Sequence, residues 1–418
     1  MQIKPFSALY YDPKKAEAAI QNLVSPPYDV IGAELEQELK SCQYNVINIL
    51  FGKENHTYDL AAERLSNWIG KGVLKNDAQE CLYVYEQTFN ALGNEHVRTA
   101  LVSVVKLEPY EHQVILPHEA TLPKHIDDRY RLLDATQTNT GMIFMIYDDP
   151  ESVVDSEMEK AKTKPVYEFV DFDGITHRIF RIFSATSIGK ITRILDDRKA
   201  VIADGHHRYE TSLRYQKDFP EVEGTSYIMS ALVNVRNPGL IVLPTHRLLY
   251  GIEQSKVDAL EKNLEKNFDL NYCNSEKELL EALENAADNS IGFWLPPNKF
   301  FIATAKEEFI NKELPQNRPL NTLEVTLLHE AILPTQLGLD KEKQAAHAYI
   351  DYVKGTDEAI IKMNSGRYQV GTFLRTVKAG QVLQVAASGD KMPQKSTYFF
   401  PKFWSGLLMR KLSTPSNQ

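Results

Sequence analysis

Cysteine is scarce: the 418-residue chain holds only Cys42, Cys81 and Cys273, and no two of them stand in a C-x-x-C pair. A disulfide framework and a zinc ribbon are thereby set aside, and the usage suits a reducing compartment. No stretch approaches ~18 consecutive apolar residues, so no transmembrane helix is expected. The opening residues Met1 to Lys15 lack a charged segment leading into an apolar run. No signal peptide is expected from them, and a cytoplasmic location follows. Positive charge is not in excess: 47 Lys and Arg face 56 Asp and Glu, a net charge of −9. Broad attraction to a nucleic-acid backbone is not expected, and neither a basic patch nor a helix-turn-helix is legible. No repeat or low-complexity tract occurs.

What is present is an ordinary globular composition, 43% hydrophobic and 25% charged, long enough to bury a core without metals or disulfides. Ala61, Leu65, Trp68 and Ile69 mark one face of a helix. Short apolar runs near 81–85, 100–105, 142–147, 166–170, 177–183 and 199–203 read as strands, and 188–195 reads as a helix. The polar stretch Glu108 to Thr140 reads as a long functional loop. A helix is expected from about His207 to Gln216, then strands at 226–235 and 240–249. Charged amphipathic helices at 254–266 and 275–287 alternate with strands at 290–295 and 299–305. Helices near 320–332 and 356–364 and strands near 367–376 and 381–387 complete the chain. Interspersed helices and strands give an α/β or mixed α+β class. The expected domains are a core over 1–250, a small α/β subdomain over 251–310, and a C-terminal α/β part over 311–418 packing on the core.

Asp204-Gly205-His206-His207-Arg208 falls where a buried strand ends and a helix begins. The first turn of a helix has backbone N–H groups without partners, and its dipole favours negative charge. Gly205 lets the backbone turn and approach a ligand, while His206, His207 and Arg208 set donors beside those amides. The combination suits a phosphate. Asp204 adds a carboxylate able to bind Mg²⁺ or to act in proton transfer. The competing explanation is that Asp204 caps the helix and the histidines are surface residues.

Three further clusters carry ionisable groups. Leu116-Pro117-His118-Glu119-Ala120-Thr121 precedes Lys124, Asp128, Arg129 and Arg131. It supplies a possible general base in Glu119 and possible substrate contacts in His118, Lys124 and Arg129, or it is simply solvated. Pro244-Thr245-His246-Arg247 lies at or in a strand, where an exposed edge would tolerate it and a buried position would not be expected. Lys395-Ser396-Thr397 lacks the glycine spacing of a P-loop, though Lys395 can offer a cation to an anionic ligand. No H-E-x-x-H or comparable metal spacing occurs.

Ala203-Asp-Gly-His-His-Arg-Tyr-Glu-Thr211 resembles a widespread bacterial family of unassigned function whose members are loosely labelled ParB-like. The resemblance extends to Ser25-Pro-Pro-Tyr-Asp-Val30, Leu116-Pro-His-Glu119, Pro244-Thr-His-Arg247 and Met392-Pro-Gln-Lys-Ser-Thr397, and so to nearly the whole chain. More distantly, D-G-H-H-R is similar to the phosphate-binding G-x-H-R signature of the ParB/sulfiredoxin superfamily. Free-serine kinases of that superfamily carry a Pro-His-Glu whose Glu is the base and a D-G-x-H-R that holds phosphate, in the same order. The resemblance implies a ParB/sulfiredoxin-like core with insertions and phosphoryl transfer on a small hydroxyl metabolite, serine or phosphoserine favoured. It implies Mg²⁺ with ATP or ADP, catalysis by Glu119, Asp204 and His207, and phosphate binding by Gly205, His206, His207 and Arg208. His118, Lys124, Arg129, His246, Arg247 and Lys395 are then candidate substrate contacts. Two other functions remain open: a non-catalytic sensor of a nucleotide or phosphometabolite, and a ParB-like nucleotide-gated DNA-binding protein. The acidic balance favours a small phosphorylated partner over specific nucleic acid.

Overall fold

The computed structural model describes residues 1–53, 57–119, 123–314, 319–345, 348–393 and 395–412. The class is mixed α/β. The chain forms two compact units: Met1–Pro117 with Thr121–Ile241 and Pro401–Gln418, and His118–Ala120 with Val242–Phe400. The boundaries expected from sequence are not those of the structure. Strand Ser290–Leu295 is bonded to strand Val370–Phe373, so a cut at 310 would divide one sheet. Hydrophobic periodicity finds elements but does not say which strand edges pair.

The first unit is built on a nine-stranded sheet. Its strands are β1 (Ile3–Lys4), β2 (Leu82–Ala91), β3 (Asn94–Lys106), β4 (Ile115–Pro117), β5 (Ile143–Tyr147), β6 (Tyr167–Val170), β7 (Thr176–Ile182), β8 (Ala200–Asp204) and β9 (Tyr227–Asn234). The order is β4-β8-β5-β9-β3-β2-β7-β6, with β1 on β3. Two pairs, β4 with β8 and β5 with β9, are parallel. All five residues of β5 are buried, as a central strand of Ile, Phe, Met and Tyr should be. Helices α1 (Asp59–Gly70), α2 (Pro123–Thr136), α3 (Val153–Ala161), α4 (Ala185–Asp196) and α5 (His206–Asp218) belong to the same unit. In α4 the side chain of Ser184 accepts the amide of Ser187 as cap, and Ile191 and Leu195, four apart, turn inward. They join Val154 and Met158 of α3, Tyr209 of α5 and Leu82, Leu101, Ile143 and Ile202 of the sheet in one core. Burial of each large apolar side chain there contributes about 1.5–3 kcal/mol.

The second unit holds a six-stranded antiparallel sheet of β10 (Thr245–Leu249), β11 (Phe268–Cys273), β12 (Ser290–Leu295), β13 (Lys299–Ala305), β14 (Ile350–Lys354) and β15 (Val370–Phe373). Its order is β11-β13-β12-β15-β10-β14. With it go α6 (Gln254–Leu264), α7 (Glu276–Glu284), α8 (Thr356–Met363) and α9 (Ala379–Ala387).

Several expectations are corrected. The expected loop within Glu108–Thr140 contains α2, whose inward residues Arg129, Leu132, Leu133 and Thr136 include polar groups and so hide the helical period. The strand expected at 381–387 is helix α9, in which Val382, Val385 and Ala386 are buried at i, i+3 and i+4. The run 240–249 is two strands, Ile241–Leu243 and β10, separated at Pro244, which has no amide for a ladder. In place of the helix expected at 320–332, Glu324–Thr326 passes through a π-helical turn, Leu327–Ile332, and continues as an α-helix to Leu337. Among the described residues no helix is long and apolar enough to cross a membrane.

Candidate phosphate site

In the first unit, β8 runs through four buried apolar residues to Asp204. Its pairing with β5 shifts register between Ile202 and Asp204, a bulge that re-aims the last side chain. Gly205 follows at φ +95° as the residue before α5. A Cβ there would lie 2.8 Å from Arg208 Nη2 and 3.1 Å from Ile143 Cδ1, so both conformation and space require glycine. No side chain caps the start of α5. The capping explanation for Asp204 is thereby set aside.

The Asp204 carboxylate is held between cations. Arg208 Nη2 donates to Oδ2 at 3.1 Å and Lys402 Nζ to Oδ1 at 2.5 Å. Burial alone would raise this carboxyl, but Lys402, Arg208 and His206 outweigh it and hold the pKa down to about 2. Arg208 Nη1 also donates to the Met142 carbonyl at 2.8 Å. Gly141 makes room for that guanidinium, since a Cβ would meet Arg208 Nη1 at 3.1 Å. Arg98, wholly buried, is a third cation whose charge interacts with Asp204. Burial lowers it to about 9, so it remains charged at neutral pH.

Lys402 and Arg98 went unseen in the sequence. Lys402 arrives on a segment of this unit fixed by buried side chains. Gln87 Nε2 donates to the Lys402 carbonyl at 3.0 Å, and Arg98 donates to the Pro401 carbonyl. The Trp404 amide donates to Tyr85 Oη at 3.4 Å, and Tyr85 in turn lies 2.7 Å from His177 Nδ1. Ser405 and Ser25 exchange two backbone bonds, which places the Ser25-Pro-Pro-Tyr28 motif beside this segment. A single lysine inside the aromatic run Tyr398 to Trp404 was the available signal.

A cavity of about 60 Å³ lies beside Arg208. Tyr28, Arg129, Gly141, Thr211, Ser212 and Ser405 contribute to its lining. Arg129 stacks on Tyr28, with 4.3 Å from guanidinium carbon to ring centre, and is paired with Asp128. His206 and His207 are half-buried on the first turn of α5 and do not line this cavity.

The remaining candidates fall in the second unit, except Lys124, which stands in α2 with its side chain outside the described residues. His118 is buried, 2.8 Å from Thr397 Oγ1. His246 and Arg247 are buried in the sheet interior, a position a strand does not normally give Thr-His-Arg. The Leu374 amide donates to His246 Nδ1 at 3.3 Å, and burial followed by the Arg247 charge holds His246 down to about 3. It is a neutral part of the sheet. Lys395 is exposed at φ +58°.

Asp204 is the carboxylate expected to meet Mg²⁺. Both Asp204 oxygens are engaged by cations, and among the described residues no group of three or more His, Cys, Asp or Glu could hold a metal.

A family model described as "Protein of unknown function (DUF1015)" matches residues 3–326. No curated protein matches the chain. Among solved structures, a free serine kinase in complex with AMP is similar at 11% identity, covering 75% of this chain and 92% of that one, with a TM-score of 0.40. A conserved hypothetical protein from Pyrococcus furiosus is similar at 13% identity, 72% and 93% coverage and a TM-score of 0.36. SbnI with a C-terminal truncation, from Staphylococcus aureus, gives 8%, 76%, 90% and 0.35.

Proposed function

The chain belongs to the DUF1015 family, whose function is unassigned, and we propose that its first unit binds the phosphate of a nucleotide or small phosphoester at the start of α5. The carrying observation is the charge arrangement around Asp204: one carboxylate is paired with Arg208 and Lys402, with the charge of the buried Arg98 also acting on it, beside a helix start with no side-chain cap. A phosphoester of charge about −2 neutralises what the single carboxylate leaves over. Arg208 and Lys402 then exchange part of their contact with Asp204 for contact with phosphate oxygens. The strand–Gly205–helix element is read as the phosphate element of a ParB/sulfiredoxin-like core.

Taken to catalysis, the reading is phosphoryl transfer between a nucleotide such as ATP or ADP and a small hydroxyl metabolite, with serine or phosphoserine favoured by the motif resemblance. Such chemistry needs positioning and charge neutralisation more than covalent participation. Arg208, Lys402 and His207 would stabilise charge on the transferred group, and Glu119 is the candidate base. A non-catalytic sensor is the second reading, favoured by one observation: both oxygens of Asp204 are engaged, so that carboxylate is not free for proton transfer.

A thermal-shift screen with ATP, ADP, CTP, phosphoserine and serine, with and without Mg²⁺, tests the proposal, since a ligand bound to the native state alone raises the melting temperature. A rise with phosphorylated compounds and none with serine alone supports it. No shift with any phosphorylated compound at millimolar concentration contradicts it.

A further inference from the structure

We propose that Thr397, His118 and Arg247 are positioning residues for Glu119, together holding its carboxylate oriented and ionised as a proton acceptor in the second unit. Three motifs far apart in the chain meet here. Glu119 forms a parallel bridge with Met392, whose amide donates to the His118 carbonyl at 2.8 Å, so its backbone is fixed. Thr397 Oγ1 donates to Glu119 Oε1 at 3.4 Å across 278 residues. His118 Nε2 lies 2.8 Å from the same hydroxyl and 3.5 Å from Glu119 Oε1. A hydroxyl has one proton. If Thr397 gives it to Glu119, His118 Nε2–H donates to Thr397. The chain then runs from His118 through Thr397 to Glu119, and an ionised carboxylate, an acceptor only, is the matching end.

Arg247 acts from behind. It is wholly buried and donates to three neutral acceptors: His329 Nε2 at 2.9 Å, the Lys395 carbonyl at 3.1 Å and the Thr245 carbonyl. Among the described residues no carboxylate stands within ion-pair distance of it. His329 sits on the π-helical turn and is oriented by Gln344, whose Oε1 is 2.8 Å from His329 Nδ1. A buried guanidinium without a carboxylate partner is costly. Burial lowers Arg247 to about 10, so it stays charged at neutral pH, and Tyr352 and then Glu119 oppose that lowering. The Arg247 bond to the Lys395 carbonyl, two residues before Thr397, fixes the segment that carries the hydroxyl facing Glu119.

Tyr352 lies under Arg247, 5.3 Å from guanidinium carbon to ring centre, and Glu284, Asp288, Glu324, Arg375 and Lys378 line a cavity that Arg247 also borders. His246 is neutral, Lys391 and Lys395 are exposed, and Lys354 lies over the Tyr398 ring at 4.1 Å. Glu119 itself keeps 19% side-chain exposure, enough for a proton donor to reach it.

This deepens the reading of Glu119 as base, and its test reads the carboxyl rather than turnover or phosphate binding. Full-length protein labelled with ¹³C at glutamate side-chain carboxyls is titrated by NMR, with Glu119→Gln identifying the resonance. In Thr397→Val the midpoint is expected to rise by roughly half to one pH unit, with Thr397→Ser restoring it. Arg247→Met is expected to raise it and Arg247→Lys to keep it near the parent value. If Arg247→Met does not fold, the threonine pair decides alone. A midpoint unchanged in Thr397→Val, or a parent Glu119 protonated at neutral pH, overturns the proposal.

Discussion

Lys402 Nζ stands 2.5 Å from Asp204 Oδ1, although 198 residues separate the two in sequence. The last segment of the first unit thus completes the electrostatics of a turn formed halfway along the chain. Replacing Lys402 with Met removes one of the cations facing a phosphate. Affinity for ADP or phosphoserine should fall about tenfold or more, the scale of one charge-assisted hydrogen bond. Lys402→Arg should retain much of it. Isothermal titration checks both, and equal affinity in the parent and Lys402→Met would remove Lys402 from the site.

The depressed Asp204 pKa makes stability depend on acid. Its folded value of about 2 lies below the ordinary 3.8, so the native state binds this proton more weakly than the unfolded chain. The stabilisation is present in full above pH about 4 and is lost as the pH falls through about 2. It amounts to about 2 kcal/mol. Asp204→Asn should therefore be less stable at pH 7 and show a flatter decline between pH 4 and 2 in urea melts. A parent and variant that decline in parallel would mean that Asp204 is not held by the two cations.

Gly205→Ala combines a left-handed backbone with a Cβ 2.8 Å from Arg208 Nη2. A cost of about 1–3 kcal/mol is expected from backbone strain, together with loss of phosphate affinity as Arg208 is pushed aside. A variant that melts like the parent and binds ADP equally would show that this turn is looser than described.

Kinetics separates the phosphate-binding cation Arg208 from the candidate base Glu119. In a phosphoryl-transfer assay Arg208→Ala should weaken both binding and turnover, because it removes a contact made in the ground state as well. Glu119→Gln should lower turnover by about 10²-fold while leaving nucleotide binding nearly intact. If Glu119→Gln turns over like the parent and Arg208→Ala does not, the phosphate site stands and the base is misassigned. If neither substitution affects any phosphoryl reaction while Arg208→Ala still weakens binding, the sensor reading is the better one.

The local parts of this site were legible. The buried run before Asp204, the glycine after it and the helical pattern beyond predict strand, turn and helix, and those elements form there. What sequence could not show was pairing at a distance. Lys402 looked like one lysine in an aromatic run, and Arg98 one polar residue in a strand, because their roles depend on sheet order and on the return of the chain to the first unit. The apolar period of α2 was masked by Arg129 and Thr136, whose polar ends are satisfied inside: Arg129 by Asp128 and Tyr58, Thr136 by the Leu132 carbonyl. The burial of His246 and Arg247 was hidden for a similar reason. Their hydrogen-bond partners, among them His329, Thr356 and the Lys395 carbonyl, lie far along the chain.

The central claim is that the start of α5 binds phosphate through Arg208 beside Gly205. Calorimetric titration of the full-length parent and Arg208→Ala with ADP and with adenosine, at one fixed salt concentration, tests it most directly. The account predicts that the parent binds ADP more tightly than adenosine, and that Arg208→Ala loses at least tenfold in ADP affinity with adenosine unchanged. ADP and adenosine binding alike to the parent, or ADP affinity indifferent to Arg208, would contradict it.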